Sequence, residues 1–141
     1  MTTARRALQD FYQREHLPAH GNVDVWVDWV TVFGRRVPFP NIMGRNKVLP
    51  YHDLHHLVTG YNADEAGEYE LGAWCLAAGG EPLIGYLYDV PAVFLGLIRF
   101  PKRTLAAWRR GRHGQTLYHL PLDTLMDTDV DVLKAMAKVD A

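Results

Sequence analysis

Apolar residues along this chain recur mostly at helical intervals. Ala4, Leu8, Phe11 and Tyr12 fall three and four apart or adjacent, which predicts a helix over residues 3–15 that Pro18 and Gly21 end. The period then changes. Val25, Val27, Trp29 and Thr31 alternate with Trp26, Asp28, Val30 and Val32 in a run rich in β-branched and aromatic residues. A small β-hairpin is predicted there, turning at Gly34 before Val37. Pro38 and Pro40 would confine its second strand to a sheet edge.

Helical spacing then resumes. Residues 49–59 predict a helix with Pro50 in its first turn and Gly60 as its stop. Asn62 or Asp64 can cap the next helix, and Asp64 and Glu65 suit its positive N-terminal end. That helix is expected to run to about Ala78, before Gly79 and Gly80. Pro82 opens a further helix that Pro91 is expected to kink or break. Pro101 starts another, ending near Gly111. A last helix, capped by Asp127 or Thr128, is expected to bury Val132, Leu133, Met136 and Val139. The pattern predicts one mainly α domain over residues 1–141, with a minor β-hairpin towards its N-terminal side.

Composition narrows the function classes. A hydrophobic share of 48% with 22% charged residues describes a packing, globular chain rather than a disordered one. Fifteen Lys and Arg against sixteen Asp and Glu leave no broad attraction for nucleic acid. A single cysteine, Cys75, precludes an intrachain disulfide, so a reducing, cytoplasmic compartment is expected, with Cys75 packed in the core. The first eighteen residues have no apolar stretch of signal-peptide length, and Asp10 and Glu15 argue against a transit peptide. Residues 83–100 form the most apolar segment, close to the ~20 residues of a membrane span. Asp89 and Pro91 interrupt it and Arg99 lies near its end, so a core or interface helix is expected.

The candidate chemistry lies in HDLHH, residues 52–56. At about 100° per residue, His52, Asp53 and His56 share one arc of the helix, while Leu54, Leu57 and Val58 lie opposite. His55 falls just outside that arc and reads as a supporting or rim group. Two histidines four residues apart can meet one metal ion. Glu68 sits on a stripe with Leu71, Gly72 and Cys75, where a charged carboxylate needs a partner. A short turn at residues 60–63 makes the two helices antiparallel neighbours, so Glu68 can reach His52 and His56. A set of His52, Asp53, His56 and Glu68 fits Zn²⁺, and also Fe²⁺, Mn²⁺ or Co²⁺. The spacing differs from the HExxH of zinc peptidases, because Asp53 stands where those enzymes carry the general-base glutamate.

The run H-D-x-x-H, eleven residues (57–67) and then Glu68 resembles the signature of the Coq-four family, the fourth coenzyme Q (ubiquinone) biosynthesis proteins. PFPN upstream, HDLHHLVTGY, the glutamate-rich helix before GAW, and AWRRGR further on are similar to its short bacterial-type members. The resemblance implies a helical fold with a divalent metal, usually zinc, between two antiparallel helices. Its ligands, and the catalytic group, would be His52, Asp53, His56 and Glu68. It further implies decarboxylation at ring position C1 of a polyprenylated hydroxybenzoate-type precursor, coupled to hydroxylation there. Two other readings stand beside it: a non-catalytic scaffold that binds isoprenoid or quinone lipid around a structural metal, and a general metal-dependent hydrolase. The partners expected are a polyprenylated aromatic or isoprenoid lipid, other quinone-biosynthesis enzymes, a peripheral contact with the inner membrane face, and a further copy of the chain.

Two more groups are weighed for binding. Arg99, Lys102, Arg103, Arg109, Arg110 and Arg112 cluster after the apolar segment and could meet anionic lipid headgroups, a carboxylate or a phosphate; a solvated helix face is the plainer expectation. Tyr86, Tyr88, Val93, Phe94 and Leu97 could line a groove for an isoprenoid tail, though an apolar stripe of this kind is more simply core. His16, His20, His113 and His119 are scattered without pattern.

Overall fold

The computed structural model describes residues 1–17, 27–40 and 45–140. Trp26, Val25, His20, Pro18 and Gly21, named above, lie outside them. Among the described residues there are seven helices and one antiparallel hairpin, so the mainly α expectation holds. In chain order they are α1 (Ala4–Arg14), β1 (Val27–Val32), β2 (Arg35–Pro40), α2 (Arg45–Thr59), α3 (Glu65–Ala78), α4 (Leu83–Arg99), α5 (Pro101–Gly111), α6 (Leu122–Met126) and α7 (Val130–Ala137).

Helix α1 buries Ala4, Leu8, Phe11 and Tyr12, the stripe its periodicity specified. His16, at φ 56°, ends the chain's helical path in a left-handed conformation. The hairpin pairs Val32 with Arg35 and Val30 with Val37, around a two-residue turn of Phe33 and Gly34 that both have positive φ.

Helix α3 runs through the middle of the fold. Asp64 caps it, its carboxylate accepting the Gly67 N–H at 2.7 Å. Gly67 is required there, because a Cβ would stand 1.9 Å from the Asn62 carbonyl oxygen. Leu71, Trp74 and Cys75 of α3 meet Leu8 and Phe11 of α1, Leu54 and Val58 of α2, and Leu117, Leu125 and Leu133 in one core cluster. Cys75 is a buried free thiol, as expected. The terminal segments are tied together: Ala4 donates to the Thr128 carbonyl and Val130 to that of Thr2.

Three expectations need correction. Helix α2 begins at Arg45, so Pro50 lies in its second turn, inside the helix. Pro91 likewise sits within a continuous α4. Pro91 stands on the exposed side of that helix. The third concerns α7, capped by Asp129 through the Asp131 N–H at 2.9 Å rather than by Asp127 or Thr128. With the helix starting later and α6 taking up Leu122–Met126, only Leu133 and Ala137 of α7 are buried, while Val132 and Met136 are exposed. Val139, beyond its end, is buried as expected.

Candidate metal centre

His52 and His56 are four residues apart on α2, so their rings project from adjacent turns of one face. Glu68, in the first turn of α3, reaches them across the Gly60–Asp64 turn. The His52 Nε2 stands 3.0 Å from Glu68 Oε2, and His56 Nε2 stands 3.1 Å from Oε1. The two Nε2 atoms are 3.2 Å apart. One ligand atom from each of the three residues falls within 4.8 Å of the others, a group that could hold a metal ion.

Hydrogen bonding fixes how these atoms present themselves. The Tyr61 carbonyl lies 2.9 Å from His56 Nδ1 and can only accept, so Nδ1 carries the proton. With Nδ1 so committed, Nε2 is the ring atom that faces Glu68 and His52. Phe11 stacks on the His56 ring at 5.7 Å between centroids and holds its plane. A nitrogen lone pair, a second imidazole nitrogen and a carboxylate repel one another unless a cation lies between them. Protons or a metal ion can fill that role, and the donor set of two imidazoles and one carboxylate suits a borderline divalent ion. The carbonyl bonded to Nδ1 is the usual outer support of a metal-binding histidine.

The electrostatics agree. Burial alone would lower the pKa of His52, but the Glu68 carboxylate beside it, with help from Asp89 and Asp53, pushes it up to about 9. Burial would raise Glu68, yet His56 and His52 together hold it well below the usual carboxylate range. Its side chain stays 41% exposed, so the cluster is open to an incoming ligand at its Glu68 edge. His56, by contrast, is 1% exposed and forms the floor.

Asp53 is buried beside this group but is not gathered with it. Its Oδ2 accepts a hydrogen bond of 2.9 Å from the Tyr12 hydroxyl of α1. Burial raises its pKa against the pull of His52 and His56. The Tyr12 phenol is in turn raised by burial and by the Asp53 carboxylate. His55 is a core residue rather than a rim group: its Nδ1–H donates to the Tyr51 carbonyl at 2.6 Å, and its Nε2 accepts the Leu117 N–H at 2.9 Å. Fully buried and stacked on Tyr118, it is pushed down to about 4 and stays neutral. It pins α2 to the loop at Leu117.

Two further acids were not anticipated as part of this region. Asp89 of α4 is 4% exposed, and it acts on His52, Glu68 and His56 through their charges. Glu81 precedes α4 and is also buried, beside the Asp89 carboxyl. Burial, reinforced by the neighbouring Asp89, pushes Glu81 up to about 10, so the pair holds a proton at neutral pH. Gly85 makes the room, since a Cβ there would stand 2.6 Å from Glu81 Oε2. The signal for Asp89 was present in the sequence as a lone acid in the most apolar segment; for Glu81, next to Gly79 and Gly80, there was none.

Comparison with protein-family models, with curated proteins and with solved structures finds no match to this chain.

Proposed function

We propose that this protein is a divalent-metal enzyme of quinone biosynthesis, acting on the ring carboxylate of a polyprenylated hydroxybenzoate-type precursor. The observation that carries the reading is the convergence of His52 Nε2, His56 Nε2 and the Glu68 carboxylate, with the His56 proton committed to Tyr61. These three residues would hold the ion, with Zn²⁺ the first choice and Fe²⁺, Mn²⁺ or Co²⁺ fitting the same donors. Once bound, it supplies Lewis acidity and a fixed positive charge next to a ring carboxylate. Three protein ligands, in place of the four expected from the sequence, would leave a bound ion room to polarise a substrate oxygen.

The chain's own groups then have distinct tasks. Tyr12 holds the Asp53 carboxylate beside the imidazoles and orients it. The Phe11 ring and the Tyr61 carbonyl fix His56. In the simple reaction, the bond from ring C1 to the carboxylate breaks, CO₂ leaves, and the electron pair left on C1 takes up a proton. Installing a hydroxyl at C1 instead calls for an oxidant of the dioxygen class. The enzyme is tested by supplying the prenylated hydroxybenzoate to metal-loaded protein and measuring CO₂ release. His52→Ala and Glu68→Gln should abolish release and lower bound metal. If folded variants without metal still restore quinone production in cells lacking the protein, the metal is structural and the protein a lipid-binding scaffold.

A further inference from the structure

Helix α4 is turned inside out. Its buried residues are Gly85, Asp89 and Gly96. Leu83, Leu87, Val90, Phe94 and Leu97, spaced four and three apart, form the opposite stripe and are exposed, Leu83 at 76% and Phe94 at 66%. Close packing sets this orientation. A Cβ on Gly96 would stand 2.6 Å from Thr104 Oγ1 and 2.8 Å from Tyr69 Cβ, so no larger side chain can occupy the inner stripe at that point. The large apolar residues have only the outside left.

The next helix extends the pattern. Leu105 and Trp108 of α5 are exposed on the face that carries Lys102, Arg109 and Arg112. Residues 83–112 hold six Lys and Arg and a single acid, Asp89, which is buried. Three of those cations are spoken for: Arg99 pairs with Glu65, Arg103 with Glu70 and Arg110 with Asp140. Lys102, Arg109 and Arg112 have no partner among the described residues. The chain as a whole has a net charge of -1, so this segment stands out against its own protein.

We propose that the outer face of α4, with the unpaired cations of α5, is a docking surface for an anionic phospholipid bilayer. No helix among the described residues is long and apolar enough to cross a membrane. A helix with one wide apolar face and cations close by instead lies in the headgroup layer, its apolar side chains a short way into the acyl region. Trp108 suits that boundary, and the long arginine and lysine side chains reach back to the phosphates. A second copy of the chain fits less well, because a two-fold contact would set the same uncompensated cations against each other. The surface is distinct from the metal centre and stands or falls apart from it.

The test uses the intact protein and sedimentation with lipid vesicles, so it does not depend on activity. The protein should pellet with vesicles of phosphatidylcholine and phosphatidylglycerol, far less with phosphatidylcholine alone, and progressively less as salt is raised. Phe94→Glu should weaken vesicle binding by about tenfold or more, with helical content unchanged because the site is already exposed. Replacing Lys102, Arg109 and Arg112 by serine should remove the preference for anionic lipid. Equal pelleting with neutral and anionic vesicles, or undiminished pelleting of Phe94→Glu, overturns the proposal. So does a stable dimer in solution, without lipid, that Phe94→Glu dissociates.

Discussion

Helices α2 and α4 invert each other. α2 carries the more polar sequence, yet it buries Asp53, His55 and His56 along with Leu54 and Val58. α4 carries the most apolar segment of the chain, yet it buries two glycines and an aspartate and turns Leu83, Leu87, Val90 and Phe94 outward. The difference lies in what surrounds each helix. α2 meets core side chains of α1, α3 and α7, and each of its buried polar groups has a partner: Tyr12 for Asp53, Leu117 and Tyr51 for His55, Tyr61 and Glu68 for His56. α4 is fully buried only at Gly85, Asp89 and Gly96, and neither glycine has room for a Cβ. Polarity along a sequence therefore indicates which residues need a partner; burial depends on whether the fold supplies one.

The largest expected effect contrasts equivalent leucines on the two helices. Leu54→Ala removes a fully buried side chain of the core cluster and should cost about 2–5 kcal/mol in urea unfolding. Leu97→Ala, on the outer face of α4, should cost far less. If both lose similar stability, the outer stripe of α4 is covered in solution and the contrast fails.

Metal removal probes the polar face of α2 next. A chelator should lower the thermal midpoint of the purified protein, and re-addition of Zn²⁺ should restore it. With free metal at a hundredfold over its dissociation constant, the stabilisation is about 2.7 kcal/mol. His56→Ala should bind no stoichiometric metal and show no chelator response. An unchanged midpoint in wild-type protein, with no metal found by elemental analysis, would remove the metal centre from the account.

A smaller effect is expected at Glu81, an acid buried beside Asp89 at the start of α4. The pKa in the folded state is raised to about 10, above the ordinary glutamate value that applies when unfolded. Between those two values the folded state binds a proton that the unfolded state has released. The stabilising contribution is thus full below the unfolded pKa and is lost as pH rises towards about 10. Glu81→Gln should flatten that decline, gaining on the wild type as pH rises, by on the order of 1 kcal/mol near neutrality. The measurement is urea unfolding across pH in the presence of chelator. A variant whose stability falls with pH as steeply as wild type would show that Glu81 is not the group responsible.

Much of this architecture was legible in the chain. The α1 stripe of Ala4, Leu8, Phe11 and Tyr12 was readable because that helix has one buried face and so a clean period. His52, His56 and Glu68 were readable because helical spacing and a short turn determine which residues meet. Asp53 shares their arc, but Tyr12 is forty-one residues away in sequence, and no local pattern shows its hydroxyl arriving at that carboxylate. His55 needed Leu117, sixty-two residues away, to become a core pin. Local rules put Pro50 in a first turn and Pro91 at a kink or break, and both helices continue through them. The face of α7 moved because its cap is Asp129 rather than Asp127 or Thr128, a shift small in sequence but large in angle on a short helix.

The smallest expected effect is the sharpest test of the inversion. Leu87 is 53% exposed on α4, and the structure gives it no place in the core cluster. Leu87→Gln should therefore change unfolding stability by no more than about 0.5 kcal/mol, as a surface substitution does. The matching change on α2, Leu54→Gln, would bury an amide with no partner and belongs with Leu54→Ala among the largest effects. A leucine inside the fold is held by its neighbours; one on the outer stripe of α4 contributes to the folded chain only what its helix propensity supplies. If Leu87→Gln cost several kcal/mol in dilute, lipid-free solution, part of the chain itself would have to cover α4, and the outward stripe would be core.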